Sequence, residues 1–128
     1  MKYRLLDLLA CPICKHFPLR LIVIETKEYP ERELPFEKPL CELFCSFLNR
    51  DVEKEKKEEY PCEKCVKLEV VTGVLVCSQC NRWYPIIEEI PRMLPDDLRD
   101  KEEDIEFLKK YKDKLPKEVV YSGVPVHL

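Results

Sequence analysis

The stretch that decides the fold runs from Val70 to Pro95 and reads VVTGVLVCSQCNRWYPIIEEIPRMLP. Its β-branched and aliphatic residues predict a strand that enters Cys77 after a turn at Thr72-Gly73. A second strand is predicted from Trp83 to Ile87, and residues 90–94 are predicted to form a third extended piece. The stretch therefore predicts a small β-rich unit built around a C-x-x-C turn.

A matching C-x-x-C motif lies near the start of the chain, at Cys11 and Cys14. Each such turn places two thiolates on one metal ion, and a structural zinc ion takes four soft ligands in a tetrahedron. We therefore predict one structural zinc site whose ligands are Cys11, Cys14, Cys77 and Cys80. An iron ion in a rubredoxin-like centre uses the same four sulfur atoms, so the spacing leaves zinc and iron open.

The other four cysteines form two further close pairs, Cys41 with Cys45 and Cys62 with Cys65. The first pair is predicted on a helix and the second just beyond Pro61, so two antiparallel helical pieces would bring the pairs together. Two disulfides or a second zinc ion would staple these pieces, and we favour the disulfides. Intracellular disulfides are typical of hyperthermophiles, and a chain with one Gln, two Asn and abundant Lys and Glu has the composition of such proteins.

The whole chain predicts an α+β fold class, in which a small zinc-ribbon β domain is interrupted by a helical insertion and followed by a C-terminal helix. Residues 1–26 and 70–98 would form the ribbon domain. Residues 27–69 would form the helical insertion, and residues 99–128 the C-terminal helix and tail. The prolines and charges at the start of the insertion are typical of an extended linker.

Apolar patterning places the elements within this plan. Residues 2–10 are predicted as a short helix, and the run from Leu19 to Ile24 as a strand that pairs with residues 74–76. The main helix of the insertion is predicted from Leu40 to about Glu59, because its apolar residues share one face. The C-terminal helix is expected to start at Asp96 or Asp97, to end near Leu115 and to pack back on its own domain.

Charge and motifs restrict the function. The net charge of −3 gives no overall basic field, which disfavours a free-standing nucleic-acid binder. The chain has no glycine-rich phosphate loop and no Ser/His/Asp set, and four thiolates leave a metal ion no open position, so we expect no catalysis. His16 and His127 are expected at the surface rather than as ligands. No apolar run is long enough to span a bilayer, and a cytoplasmic location without membrane contact is expected.

Two segments together resemble a known family. The chain opens with KYRLLDLLACPIC over residues 2–14, and residues 73–94 read GVLVCSQCNRWYPIIEEIPRML. These segments resemble the multifunctional methyltransferase subunit 112 family, the small zinc-ribbon activators of tRNA, rRNA and release-factor methyltransferases. The inner four cysteines and the chain beyond Asp97 lie outside the family pattern.

The resemblance implies a zinc ribbon interrupted by a helical central domain, acting as a non-catalytic subunit. Such a subunit forms a heterodimer with an S-adenosylmethionine-dependent methyltransferase, keeps it soluble and active, and meets nucleic acid only through that partner. The implied contact surface is the later part of the ribbon, with partner-binding residues Trp83, Tyr84, Pro85, Ile86, Ile90, Pro91, Met93 and Leu94.

Neighbouring residues of a strand point to opposite faces of its sheet. We therefore expect at least one of Trp83 and Tyr84 to be exposed and to anchor the partner. The alternatives to an activator are a rubredoxin-like electron carrier and a zinc-ribbon module that binds nucleic acid.

Overall fold

The computed structural model describes all of residues 1–128 and contains six strands. They are β1 (Arg20–Glu28), β2 (Phe44–Cys45), β3 (Arg50–Asp51), β4 (Leu68–Val76), β5 (Trp83–Ile87) and β6 (Ile90–Pro91). The main sheet has four antiparallel strands in the order β1-β4-β5-β6. A separate two-stranded ribbon pairs β2 with β3.

The helices are short except for one near the C-terminus. The α-helices are α1 (Cys62–Cys65), α2 (Lys101–Tyr111) and α3 (Lys117–Val120). Single-turn or two-turn 3₁₀ helices cover Tyr3–Leu8, Lys54–Glu59, Asp96–Leu98 and Lys112–Lys114. None of these helices combines the length and the apolar character that a membrane crossing requires. The mixture of sheet and helices confirms the α+β prediction.

The longest strand pair joins β1 to β4, so the chain between them, residues 29–67, leaves the sheet and returns to it. Arg20 lies opposite Val76 and Glu28 lies opposite Leu68, and a bulge interrupts the register between Val23 and Thr26. The predicted pairing of the first strand with residues 74–76 is therefore confirmed.

The turn expected at Thr72-Gly73 is wrong, because both residues lie inside β4. Gly73 is needed there for a different reason. A Cβ atom at this position would lie 2.6 Å from the carbonyl oxygen of Ile22 on β1, too close for any side chain. The glycine therefore permits the close approach of two paired strands.

Both faces of the sheet are covered. Val74 and Val76 point to one face, where they pack with Trp83 and with Phe107 and Leu108 of α2. The alternate side chains of the same strands pack on the other face with the N-terminal 3₁₀ helix; they include Leu75, Tyr84 and Ile86. The expected packing of the C-terminal helix on its own domain is confirmed, although α2 begins later than predicted, with Asp100 as its N-cap.

The insertion is not the long helix that its pattern predicts. Residues 40–59 form β2, β3 and a 3₁₀ helix instead. The carboxylate of Asp7 accepts hydrogen bonds from the backbone N–H groups of Glu42, Leu43 and Phe44 at 2.7–2.8 Å. Those N–H groups are thus satisfied by a distant side chain, and Asn49 at φ 56° makes the turn between the two strands.

Candidate metal centre

The two outer C-x-x-C turns have the same backbone construction. The N–H of Lys15 donates to the carbonyl oxygen of Cys11 at 2.9 Å, and the N–H of Asn81 donates to that of Cys77 at 2.9 Å. The residue after each turn is left-handed, with φ 67° at Lys15 and φ 61° at Asn81. Asparagine tolerates this conformation better than most residues do, whereas a lysine gives no such signal.

The fold brings the two turns together. The sulfur atoms of Cys14 and Cys77 are 3.3 Å apart, and those of Cys11 and Cys80 are 3.7 Å apart. All four sulfur atoms lie within 4.8 Å of one another. Sulfur atoms about 2.3 Å from a central zinc ion are separated by roughly 3.8 Å in a regular tetrahedron. The four cysteines therefore fit a single metal ion.

Hydrogen bonds favour the thiolate form of Cys11. Burial alone would raise the pKa of its thiol, but hydrogen bonds from the backbone N–H groups of Cys14 and Ile13 and from the hydroxyl of Tyr84 lower it to about 6. Burial, together with hydrogen bonds to the sulfur atoms of Cys14 and Cys80, raises the pKa of Cys77 to about 12. A bound cation would displace the proton from the thiol of Cys77.

Basic side chains lie beside the cluster. Arg82 forms a bidentate pair with Asp96, with both N–O distances 2.9 Å, and its guanidinium also contacts Cys80. Asp96 and Cys80 together raise the pKa of Arg82 above its usual range. Arg82 therefore offsets part of the negative charge that four thiolates would carry.

The two histidines lie outside the ligand cluster. His16 Nε2 lies 3.1 Å from the hydroxyl of Ser78, so this side chain connects the two turns through a hydrogen bond. His127 Nδ1 lies 3.2 Å from the carbonyl oxygen of Gly123 near the C-terminus.

The residues expected to bind a partner divide into buried, half-buried and exposed groups. The exposure expected for Trp83 or Tyr84 is wrong, because both rings are buried. Residues of the C-terminal segment cover Trp83: its Nε1 donates to the carbonyl oxygen of Val126 at 2.8 Å, and Phe107 stacks on its ring. Pro85 and Ile86 are also buried, whereas Pro91 and Met93 are half-buried. Ile90 and Leu94 remain accessible, at 62% and 41% exposure.

A buried ion pair fixes the covering segment. The guanidinium of Arg99 lies 2.9 Å from the carboxylate of Asp104, donates to the carbonyl oxygen of Trp83 at 2.6 Å, and lies 4.7 Å from the Trp83 ring centre. Sequence patterning missed this pair, because both residues read as ordinary surface charges of a helix start.

The disulfides favoured for the inner cysteines are absent, because all eight cysteines are free thiols. The helix that was to carry Cys41 and Cys45 does not form, yet all four inner cysteines border one small cavity. Burial is the main cause that raises the pKa of Cys41 and that of Cys65 to about 12 each; Asp7 contributes at Cys41, and the other inner cysteines contribute at both.

An antiparallel sheet and two C-x-x-C turns that bring four sulfur atoms together define the class of this protein: a small α+β ribbon with a four-cysteine cluster that could hold a metal ion. A family model described as Trm112p-like protein matches residues 2–89, and the chain belongs to that family. Membership supports a methyltransferase-associated small subunit in general. A search of curated proteins finds no significant match.

Proposed function

We propose that the chain is a non-catalytic activating and stabilising subunit of S-adenosylmethionine-dependent methyltransferases that act on tRNA, rRNA or a translation release factor. The observation that supports this most strongly is the family match over residues 2–89, which spans both outer C-x-x-C turns. The subunit would form a heterodimer with the methyltransferase in the cytoplasm, where thiols stay reduced.

The role assigned to the metal is structural. Zinc is the proposed ion, since four thiolates are its usual structural ligand set. Such an ion has no free coordination position for a substrate. Instead, it joins the N-terminal segment to the turn between β4 and β5, because one C-x-x-C turn comes from each.

The proposed docking surface follows the exposed end of the ribbon. β6 pairs only with β5, so its other side is a free sheet edge that can receive a strand of the partner. Ile90 and Leu94 project apolar surface there, and Leu94 lines a cavity of about 170 Å³ together with Pro85 and Leu98. Trp83 and Tyr84 would support this surface from inside, while Pro91 and Met93 complete it.

The four-sulfur set also suits iron, so a rubredoxin-like electron carrier is the second candidate. The two candidates differ in a simple observation. A four-sulfur iron protein is coloured and redox-active, whereas the zinc protein is colourless. Colourless protein with one or more equivalents of zinc by metal analysis would eliminate the electron carrier.

The test is affinity purification from a native extract with the tagged chain as bait. We expect a methyltransferase in stoichiometric amount with the wild-type chain, and its loss with the Ile90→Asp variant. Leu43→Asp is the matched control, because Leu43 has an equally exposed side chain (61% against 62%) but lies in the insertion. Recovery of no methyltransferase with the wild-type bait would overturn the proposal.

A further inference from the structure

The four inner cysteines come from two separate parts of the insertion and meet at one place. Cys41 and Cys45 flank the start of β2, and Cys62 and Cys65 are the two ends of α1. All four border a single cavity of about 20 Å³. A cavity of roughly 10–15 Å³ by the same kind of measure holds one water molecule, so this one has room for a single ion.

The C-x-x-C segment at Cys62 shares one hydrogen bond with the outer turns. The N–H of Val66 donates to the carbonyl oxygen of Cys62 at 2.9 Å, and the bonds from Lys15 to Cys11 and from Asn81 to Cys77 have the same length. The segment differs in being a turn of α-helix, because Val66 is right-handed at φ −63° where Lys15 and Asn81 are left-handed. The helical turn still places Cys62 and Cys65, which are three residues apart, on one face.

The rest of the cavity wall offers no competing ligand. It consists of Arg4 and the side chains of Leu40, Phe47, Tyr60 and Pro61. The hydroxyl of Tyr60 is already used, since it donates to the carbonyl oxygen of Asp51 and accepts from the N–H of Glu53. The four sulfur atoms are therefore the available donors, and a soft ion is the cation that they suit.

Charge balance around the cavity is mixed. Four thiolates on one divalent ion leave two negative charges, and the guanidinium of Arg4 on the cavity wall compensates one of them. The negative charge of Asp7 disfavours the thiolate of Cys41. Three backbone N–H groups of residues 42–44 donate hydrogen bonds to that carboxylate and partly neutralise its charge.

The insertion has a small core of its own. Its five buried residues are Leu40, Cys45, Tyr60, Cys62 and Val66. Such a small cluster stabilises a unit only weakly, and units of this size are commonly held by a metal ion or by disulfides. The structure has free thiols here, so a metal ion is the cross-link that it accommodates.

We propose that Cys41, Cys45, Cys62 and Cys65 form a second metal site that binds one zinc ion through four thiolates. No three of the inner sulfur atoms lie within 4.8 Å of one another, unlike those of the outer cluster, so the inner four close around the ion as it binds. Binding displaces four protons, one from each thiol, to solvent and changes no oxidation state. The proposal concerns the insertion and does not depend on the partner of the ribbon.

The test counts zinc ions and thiols on the full chain. The metal-free protein is titrated with zinc alone, and we expect two equivalents to bind the wild type and one to bind the Cys41→Ser/Cys65→Ser variant. Ser78→Ala, which keeps all eight cysteines and removes only the contact with His16, is the control and should bind two. Alkylation of the denatured, unreduced protein should modify eight cysteines.

One zinc ion per wild-type chain would overturn the proposal, whether eight thiols are counted (packed thiols) or four (two disulfides). If a variant fails to fold, the proposal is still tested, because titration with cobalt is done on the wild-type chain. The sulfur-to-cobalt absorption should rise to a break at two equivalents. A break at one equivalent would contradict the second site.

Discussion

The hydroxyl oxygen of Tyr84 lies 3.3 Å from the sulfur of Cys11, and both residues are buried. Tyr84 belongs to β5 and packs in the sheet core, whereas Cys11 belongs to the first C-x-x-C turn. This contact joins the metal centre to the sheet, so the geometry of the sulfur cluster and the packing of β5 depend on each other.

Tyr84→Phe should weaken metal binding about tenfold, because a hydrogen bond to a charged group contributes about 1.5–3 kcal/mol and a factor of ten is about 1.4 kcal/mol. Loss of the hydroxyl removes a bond that favours the thiolate, so the pKa of Cys11 should rise and protons should compete better with the metal. Competition with a chromophoric chelator measures the affinity. Tyr29→Phe is the control, since Tyr29 donates to Glu89 away from the cluster. Equal affinities would contradict the predicted link.

Cys77→Ser should abolish metal binding at the outer site and unfold the ribbon. Structural zinc contributes on the order of 10–16 kcal/mol in small zinc peptides, which is comparable with the roughly 5–15 kcal/mol of a whole domain. Thermal unfolding followed by circular dichroism, with and without a chelator, measures the loss. Ser78→Ala, which removes only the contact with His16, should keep the metal and the wild-type melting temperature.

Arg99→Ala should destabilise the protein by about 3–5 kcal/mol, because it leaves the carboxylate of Asp104 buried without its partner. Arg20→Ala is the matched control. Its pair with Glu118 is about half-exposed on both sides, so its loss should cost less than about 1 kcal/mol. Urea unfolding measures both values. Similar small losses would show that the Arg99 pair does not fix the C-terminal segment.

Glu69→Gln should destabilise the protein at neutral pH by about 3 kcal/mol, the lower end for breaking a buried ion pair. Burial would raise the pKa of Glu69, but the Met1 amino group at 3.1 Å and Arg32 at 2.8 Å outweigh it and hold the pKa below its usual range. Because the pKa of Glu69 is lower in the folded protein, its ionised carboxylate stabilises the fold at every pH above its unfolded pKa of about 4.3. That contribution is lost as the pH falls through the folded pKa.

The pH dependence gives this prediction its control. The difference in unfolding free energy between wild type and Glu69→Gln should be constant from pH 7 to about pH 5 and should begin to shrink between about pH 5 and about pH 4. Both proteins are compared over the pH range in which they keep their metal. A difference that stays the same between pH 5 and pH 4 would show that the effect of the substitution is packing and not charge.

The sequence predicted those features that depend on local spacing. The outer C-x-x-C turns and the pairing of β1 with β4 follow from residues that are neighbours in the chain or from their apolar patterning. The α+β class followed from the same patterns. Zinc as the ion and the boundaries between ribbon, insertion and C-terminal segment stay predictions.

The failures share one physical cause, which is contact over long sequence distance. The apolar face of residues 40–59 is compatible with a helix, but the carboxylate of the distant Asp7 binds the N–H groups of residues 42–44, where β2 forms instead. Trp83 and Tyr84 do alternate between faces as expected, yet both faces are covered. The residues that bury Trp83 lie beyond residue 98, and their local sequence pattern does not specify that they pack on this side chain.

The most direct test of the central claim is methyl transfer in a reconstituted pair. The methyltransferase recovered with this chain is produced alone, with wild-type chain, with Ile90→Asp and with Leu43→Asp, and transfer from labelled S-adenosylmethionine to tRNA, rRNA and release factor is measured separately. We predict soluble, active enzyme with the wild type and with Leu43→Asp, and little of either property alone or with Ile90→Asp. Equal solubility and activity of the methyltransferase without this chain would contradict the account.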